Sequence, residues 1–158
     1  MRFRCLTNEE LKELDAELIQ FLILNQVYKE EWAIMNQKEP LKAKQLIELF
    51  SDVVLEKVYN KVSYLERQVP RQISFCSLSE SHGEMLTIEA IDQEMDLTNE
   101  EMMDEYLLIS PSKLSIYSGK KLFSKTKAEE VFLLLINGFI VSNEDLYRNL
   151  MQHIVTSY

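Results

Sequence analysis

Glycine and proline are scarce, three of each in 158 residues. Gly83, Gly119 and Gly138 lie far apart. No glycine-rich loop that cradles phosphate can therefore be built, and no dinucleotide fingerprint or nucleophile elbow occurs. The two cysteines, Cys5 and Cys76, are too few for a disulfide-framed secreted scaffold. With His82 and His153 they are the only sulfur and imidazole ligands, and no CxxC or HxxxH pair holds them at zinc spacing. The longest apolar run, Leu18 to Leu24, is interrupted by Gln20 and falls far short of the ~20 residues a membrane span needs. The basic start Arg2-Phe3-Arg4 leads into Glu9, Glu10, Glu13, Asp15 and Glu17, not into the apolar core of a signal peptide. The cytoplasm is the expected address. Positive charge is short as well. Seventeen Lys and Arg stand against 26 Asp and Glu, and a net charge of −9 excludes nucleic acid or an anionic membrane as the main partner.

What remains is a chain that is 46% hydrophobic, enough to bury a core without a metal or a disulfide. A single α+β domain spanning 1–158 is expected, helical over 7–68, sheet over 72–124 and helical over 126–156. Thr7-Asn8-Glu9-Glu10 reads as a capping box opening a helix that carries Leu11, Leu14, Leu18, Phe21 and Leu22 on one face. That helix turns near Asn25, and Tyr28 to Asn36, centred on Trp32, is a second helical stretch. From Pro40 the spacing Ile47, Phe50, Val54, Val58, Val62, Leu65 predicts a long helix ending before Pro70.

The period then falls to two. Ile73–Leu78 and Met85–Ile91 read as strands of an antiparallel hairpin around Ser79–Gly83. Leu114–Tyr117 and Leu122–Phe123 read as a second hairpin, turning through Ser118-Gly119-Lys120-Lys121. Tyr106–Ile109 fits helix and strand equally. Thr126 with Glu129 caps a helix buried on most sides through Val131–Ile136, which ends at Gly138. A last helix starts at Ser142, with Leu146, Leu150 and Ile154 on one face.

Charge is segregated along the sheet region. Nine acids and no basic residue lie from Glu84 to Glu105, and five lysines and no acid from Ser110 to Lys127. The strips either neutralise each other or offer an acidic face to a basic partner, with Glu94, Asp96, Glu100 and Glu101 as its contact residues. Asp92, Glu94 and Asp96 also suggest a cation site, but the EF-hand glycine and bidentate Glu positions hold Leu97 and Met103. Cys76 and His82, six residues apart on either side of a loop, form a candidate nucleophile–base pair, and Ser79 and Ser81 also sit near His82 and Glu80. Their bland reading is a buried small hydrophobe and a solvated loop histidine. Trp32 lies off the strongest stripe, and an exposed Trp32 marks a binding surface.

Arg2-Phe3-Arg4-Cys5-Leu6-Thr7, the stretch from Glu31-Trp32 to Phe50-Ser51-Asp52, and Lys121-Leu122-Phe123 running into Glu130-Val131-Phe132 resemble a family of small acidic cytoplasmic proteins from Bacteroidetes. That family is catalogued as a domain of unknown function. The resemblance implies a stand-alone bacterial protein and supplies no catalytic residue.

The expected function is a non-enzymatic protein-interaction or regulatory module, binding a protein partner or itself as a homodimer, with no cofactor. The alternative is a small hydrolase or metal-dependent enzyme centred on Cys76, His82 and the acids Asp92, Glu94 and Asp96. A third reading is a small-ligand binder that uses the sheet. Convergence of Cys76, His82 and an acid in one pocket favours the enzyme, and an exposed apolar patch favours the interaction module.

Overall fold

The computed structural model describes residues 2–99, 111–145 and 148. Its contacts divide the chain into two compact units, Met1–Val58 and Tyr59–Tyr158.

The first unit is helical: α1 (Asn8–Glu13), α2 (Asp15–Leu24), α3 (Lys29–Lys38) and most of α4 (Pro40–Asn60). The capping box that opens α1 is formed. Thr7 Oγ1 accepts the Glu10 N–H at 3.2 Å, and the Glu10 carboxylate accepts the Thr7 N–H at 2.8 Å. The Arg4 guanidinium grips the same carboxylate and, with the Thr7 amide, holds it down to about 2, against an ordinary 4.5. Where one helix is expected to run on to Asn25, there are two, divided at Leu14 (φ −102°, ψ 23°).

The segment before α1 lies along α4. Backbone amides outside a helix or sheet need partners, and α4 supplies them. The Asp52 carboxylate accepts the Arg2 N–H at 2.8 and 2.9 Å and the Phe3 N–H at 3.0 Å. Ser51 Oγ accepts the Leu6 N–H at 3.0 Å and donates to Ile47 O at 2.7 Å. These bonds seat Phe3 and Leu6 in the core with Leu22, Ala43, Phe50 and Leu55.

The second unit is a sheet with a helix. Strands β1 (Tyr64–Val69), β2 (Gln72–Leu78), β3 (His82–Ala90), β4 (Leu114–Leu122) and β5 (Ile140–Val141) lie in the order β4-β3-β2-β1-β5, all antiparallel. Alternation gives the sheet two faces. One carries Ile73, Phe75, Ile88, Ala90, Leu114 and Ile116, and is closed by Met95 and Leu97 from the segment after β3. The other carries Cys76, Leu78 and Met85 beneath α5 (Lys127–Ile136), which has buried Ala128 and Val131. In the segment 92–97, Asp92, Gln93, Glu94 and Asp96 are exposed, while Met95 and Leu97 are buried. Its far end is fixed by Leu97 N–H donating to Pro70 O at 2.6 Å.

The α+β class holds, and two further expectations are corrected. The long helix stops at Asn60, and Tyr64–Val69 is a strand. Val62 and Leu65 continue the helical spacing, but pairing with β2 along Tyr64–Val69 decides for strand. The second hairpin is absent, because β4 runs unbroken through Gly119, with Lys120 registered opposite Glu84. The C-terminal helix α5 is capped as expected by Thr126 and Glu129 and is covered on most sides, with Ile136 alone of its residues exposed, at 62%. Tyr106–Ile109 and the face expected from Leu146, Leu150 and Ile154 lie outside the described residues, as does His153.

Helices α2 and α5 end in the same way. Asn25 and Asn137 donate side-chain bonds to Phe21 O and Leu133 O. The next residue, Gln26 or Gly138, is left-handed at φ 61° or 86°. Val27 N–H then reaches Leu22 O at 2.9 Å, and Phe139 N–H reaches Leu134 O at 3.2 Å. Both are Schellman endings, one with glycine where it belongs and one without. Gln26→Gly is expected to raise stability by about 1 kcal/mol, and Gly138→Gln to lower it by a similar amount. Denaturant unfolding checks both, and equal effects of the same sign would contradict the account. Asp52→Ala strips two amides, those of Arg2 and Phe3, of a charged acceptor and is expected to cost about 3 kcal/mol, read as a fall in melting temperature.

Candidate functional site

The residues singled out in the sequence do not share one place. Cys76 pairs with Met85 across β2 and β3, and its side chain lies under α5. His82 is three positions from Met85 on β3, so strand alternation sends it to the opposite face. The sheet itself separates the candidate nucleophile from the candidate base. Burial pushes the Cys76 thiol up to about 11, which keeps it protonated at neutral pH.

His82 has polar neighbours of its own. Ser79 Oγ lies 2.8 Å from Nδ1, and Glu84 Oε1 lies 3.6 Å from Nε2. This resembles a Ser–His–acid relay in composition, but each member has a bond elsewhere. Ser79 Oγ accepts the His82 N–H at 3.1 Å and sits 2.9 Å from His82 O, so the hydroxyl closes the β2–β3 turn. Glu84 is engaged by Lys120 at 3.0 Å across β3 and β4, and that bond holds its carboxyl below the usual range. The pair is the meeting of acidic and basic strips weighed above.

The remaining acids fold back on their own backbone. Asp92 Oδ1 accepts the Glu94 N–H at 3.2 Å. Asp96 Oδ1 accepts the Thr98 hydroxyl at 2.6 Å and the Thr98 N–H at 2.9 Å, which lowers its pKa. Among the described residues no three His, Cys, Asp or Glu side chains gather where they could hold a metal ion. Glu100 and Glu101 lie outside the described residues. Cys5 and Cys76 are both free thiols.

Trp32 stands apart from these groups. It forms one wall of an apolar groove of about 630 Å3 between α2 and α3. Leu18, Ile19, Leu22 and Ile23 of α2 form the other wall, and Val27 and Tyr28 of the connecting turn close one end. Leu22 is buried and supports the groove from below. Ile19, Ile23 and Tyr28 are 49%, 47% and 56% exposed. The Schellman ending at Gln26 sets the angle at which α3 leaves, so it shapes this groove. Asp15 and Lys29 are its charged margins.

Sequence reasoning reached Trp32 but assigned the α2 apolar residues to the core. The signal for the groove was a second stripe, Ile19 and Ile23, one turn apart and off the main face. A smaller cavity, about 320 Å3, lies between the sheet and α5 beside Gly83 and Gly119.

The Cys76 geometry has a measurable consequence. In a Cys5→Ser background, alkylation of native Cys76 is expected to keep accelerating to about pH 11. Between the ordinary 9.0 and about 11 the unfolded thiol has lost its proton and the folded one has not, so stability falls as pH rises through that window. A rate that levels off near the ordinary value would contradict the burial argument.

The model of a family of unknown function, DUF6495, matches residues 1–155. No curated protein and no solved structure matches the chain.

Proposed function

The chain belongs to the family of unknown function DUF6495, and from that premise we propose that it is a non-enzymatic protein-interaction or regulatory module that takes a basic amphipathic segment into the α2–α3 groove. The observation that carries this reading is the groove itself. It is an open apolar trough with a half-buried tryptophan in its wall and two isoleucines on its lip. Isolated exposed apolar residues are ordinary, but a contiguous set around a tryptophan is what an interface core uses.

Charge supplies the partner's chemistry. Between Glu9 and Glu31 there are seven carboxylates and only two lysines, Lys12 and Lys29. A segment with apolar anchors at helical spacing and flanking Lys or Arg complements both features. A second copy of this chain brings the same acidic rim and a net charge of −9, so like-charge repulsion weighs against it as the occupant. The hydrolase alternative loses ground because Cys76 and His82 point to opposite faces of the sheet.

Trp32 is the sole tryptophan, so its fluorescence reports on the groove alone. A designed amphipathic peptide with a leucine face and a lysine face is the probe. It is expected to bind saturably with a blue shift of Trp32 emission, and to bind more weakly as salt rises. Ile23→Asp should weaken binding by about tenfold or more, as should exchanging the peptide's lysines for glutamates. Binding that ignores Ile23→Asp, or no binding at all, would refute the assignment. Self-association abolished by Ile23→Asp would instead make a second copy the occupant.

A further inference from the structure

We propose that the cavity beside Gly119 is a binding site for a small, uncharged aromatic molecule. The cavity is independent of the α2–α3 groove and lies wholly within the sheet-and-helix unit.

Its origin is a missing side chain. Gly119 on β4 pairs with Met85 on β3, and Met85 pairs with Cys76 on β2, so all three face α5. A Cβ placed on Gly119 meets no atom within 4 Å. Gly83 is different. A Cβ there would stand 3.3 Å from both Leu78 Cδ2 and Phe123 Cε1. Gly83 therefore lets Phe123 pack close to the sheet, and Gly119 leaves the space beside it.

The walls choose the ligand. Cys76 and Met85 contribute sulfur, Phe123 a ring, and Leu78 and Leu134 branched methyls. Sulfur and ring edges favour an aromatic guest over an aliphatic one of equal size. Every charge at the margin is already answered. Lys120 donates to Glu84 at 3.0 Å and Lys121 to Glu130 at 3.1 Å. Glu130 also accepts the Ser124 N–H at 3.1 Å and lies 3.2 Å from its hydroxyl. A charged guest would have to break one of these pairs, so the guest is neutral. Such walls give water few partners. At about 320 Å3 the cavity stands at the low end of ligand sites, which fits one ring or two fused rings.

The test uses the full chain with 13C-labelled leucine and methionine methyls, titrated with indole. Saturable shifts are expected at Leu78, Met85 and Leu134. Gly119→Val fills the space, and is expected to weaken indole binding by about tenfold or more without lowering the melting temperature. Gly119→Ala is the milder variant should valine disturb β4. No saturable shift at these methyls, or shifts that persist unchanged in both variants, would overturn the proposal. Shifts confined to Leu18 and Leu22 would do so too, because they would report the α2–α3 groove.

Discussion

Strand β2, in the middle of the second unit's sheet, is buried on both faces, and most of what that unit can do follows from this. Phe75 and Cys76 are adjacent in sequence, yet they point into different layers. Phe75 joins the layer sealed by Met95 and Leu97, and Cys76 joins the layer under α5. A strand with both sides occupied cannot slip by one residue without exchanging the two layers wholesale. That constraint fixes the register with β1 and β3. It also assigns each functional candidate to a side before any chemistry is considered, and it is why a thiol and an imidazole six residues apart never meet.

The same constraint accounts for the acidic run. Read as sequence, Asp92, Glu94 and Asp96 look like an assembly of carboxylates. In the fold they are the outward residues of a segment whose inward residues, Met95 and Leu97, close the sheet. The oxygens of Asp92 and Asp96 are taken up by the Glu94 amide and by Thr98. The charge keeps the plug's outer edge in water, which is the usual role of polar residues over a buried layer.

Local signals in the sequence were reliable where the chain's own neighbours decide the conformation. Both threonine capping boxes, at Thr7 and Thr126, and the strand Ile73–Leu78 could be read directly. Reading failed where a distant partner decides. Val62 and Leu65 extend the α4 stripe, but β2 recruits Tyr64–Val69 into the sheet. Ser118-Gly119-Lys120-Lys121 has turn composition, but β3 holds it extended. Of the candidate site, Trp32 was legible because a tryptophan off the main stripe has no obvious place in the core. The isoleucines beside it were not, since one face of a helix was presumed to be enough. The Gly119 cavity was hidden because a missing side chain acquires meaning only once its cross-strand neighbours are known.

Among the described residues strand β4 lies at the margin of the sheet and carries Lys120 and Lys121 near its end, whose side chains leave on opposite faces, one to Glu84 and one to Glu130. A foreign strand laid against this margin would have to strip water from an ammonium group whichever side it favoured. Charge at this point opposes edge-to-edge pairing along the nine residues of β4, so the two lysines serve as gatekeepers as well as ion-pair partners.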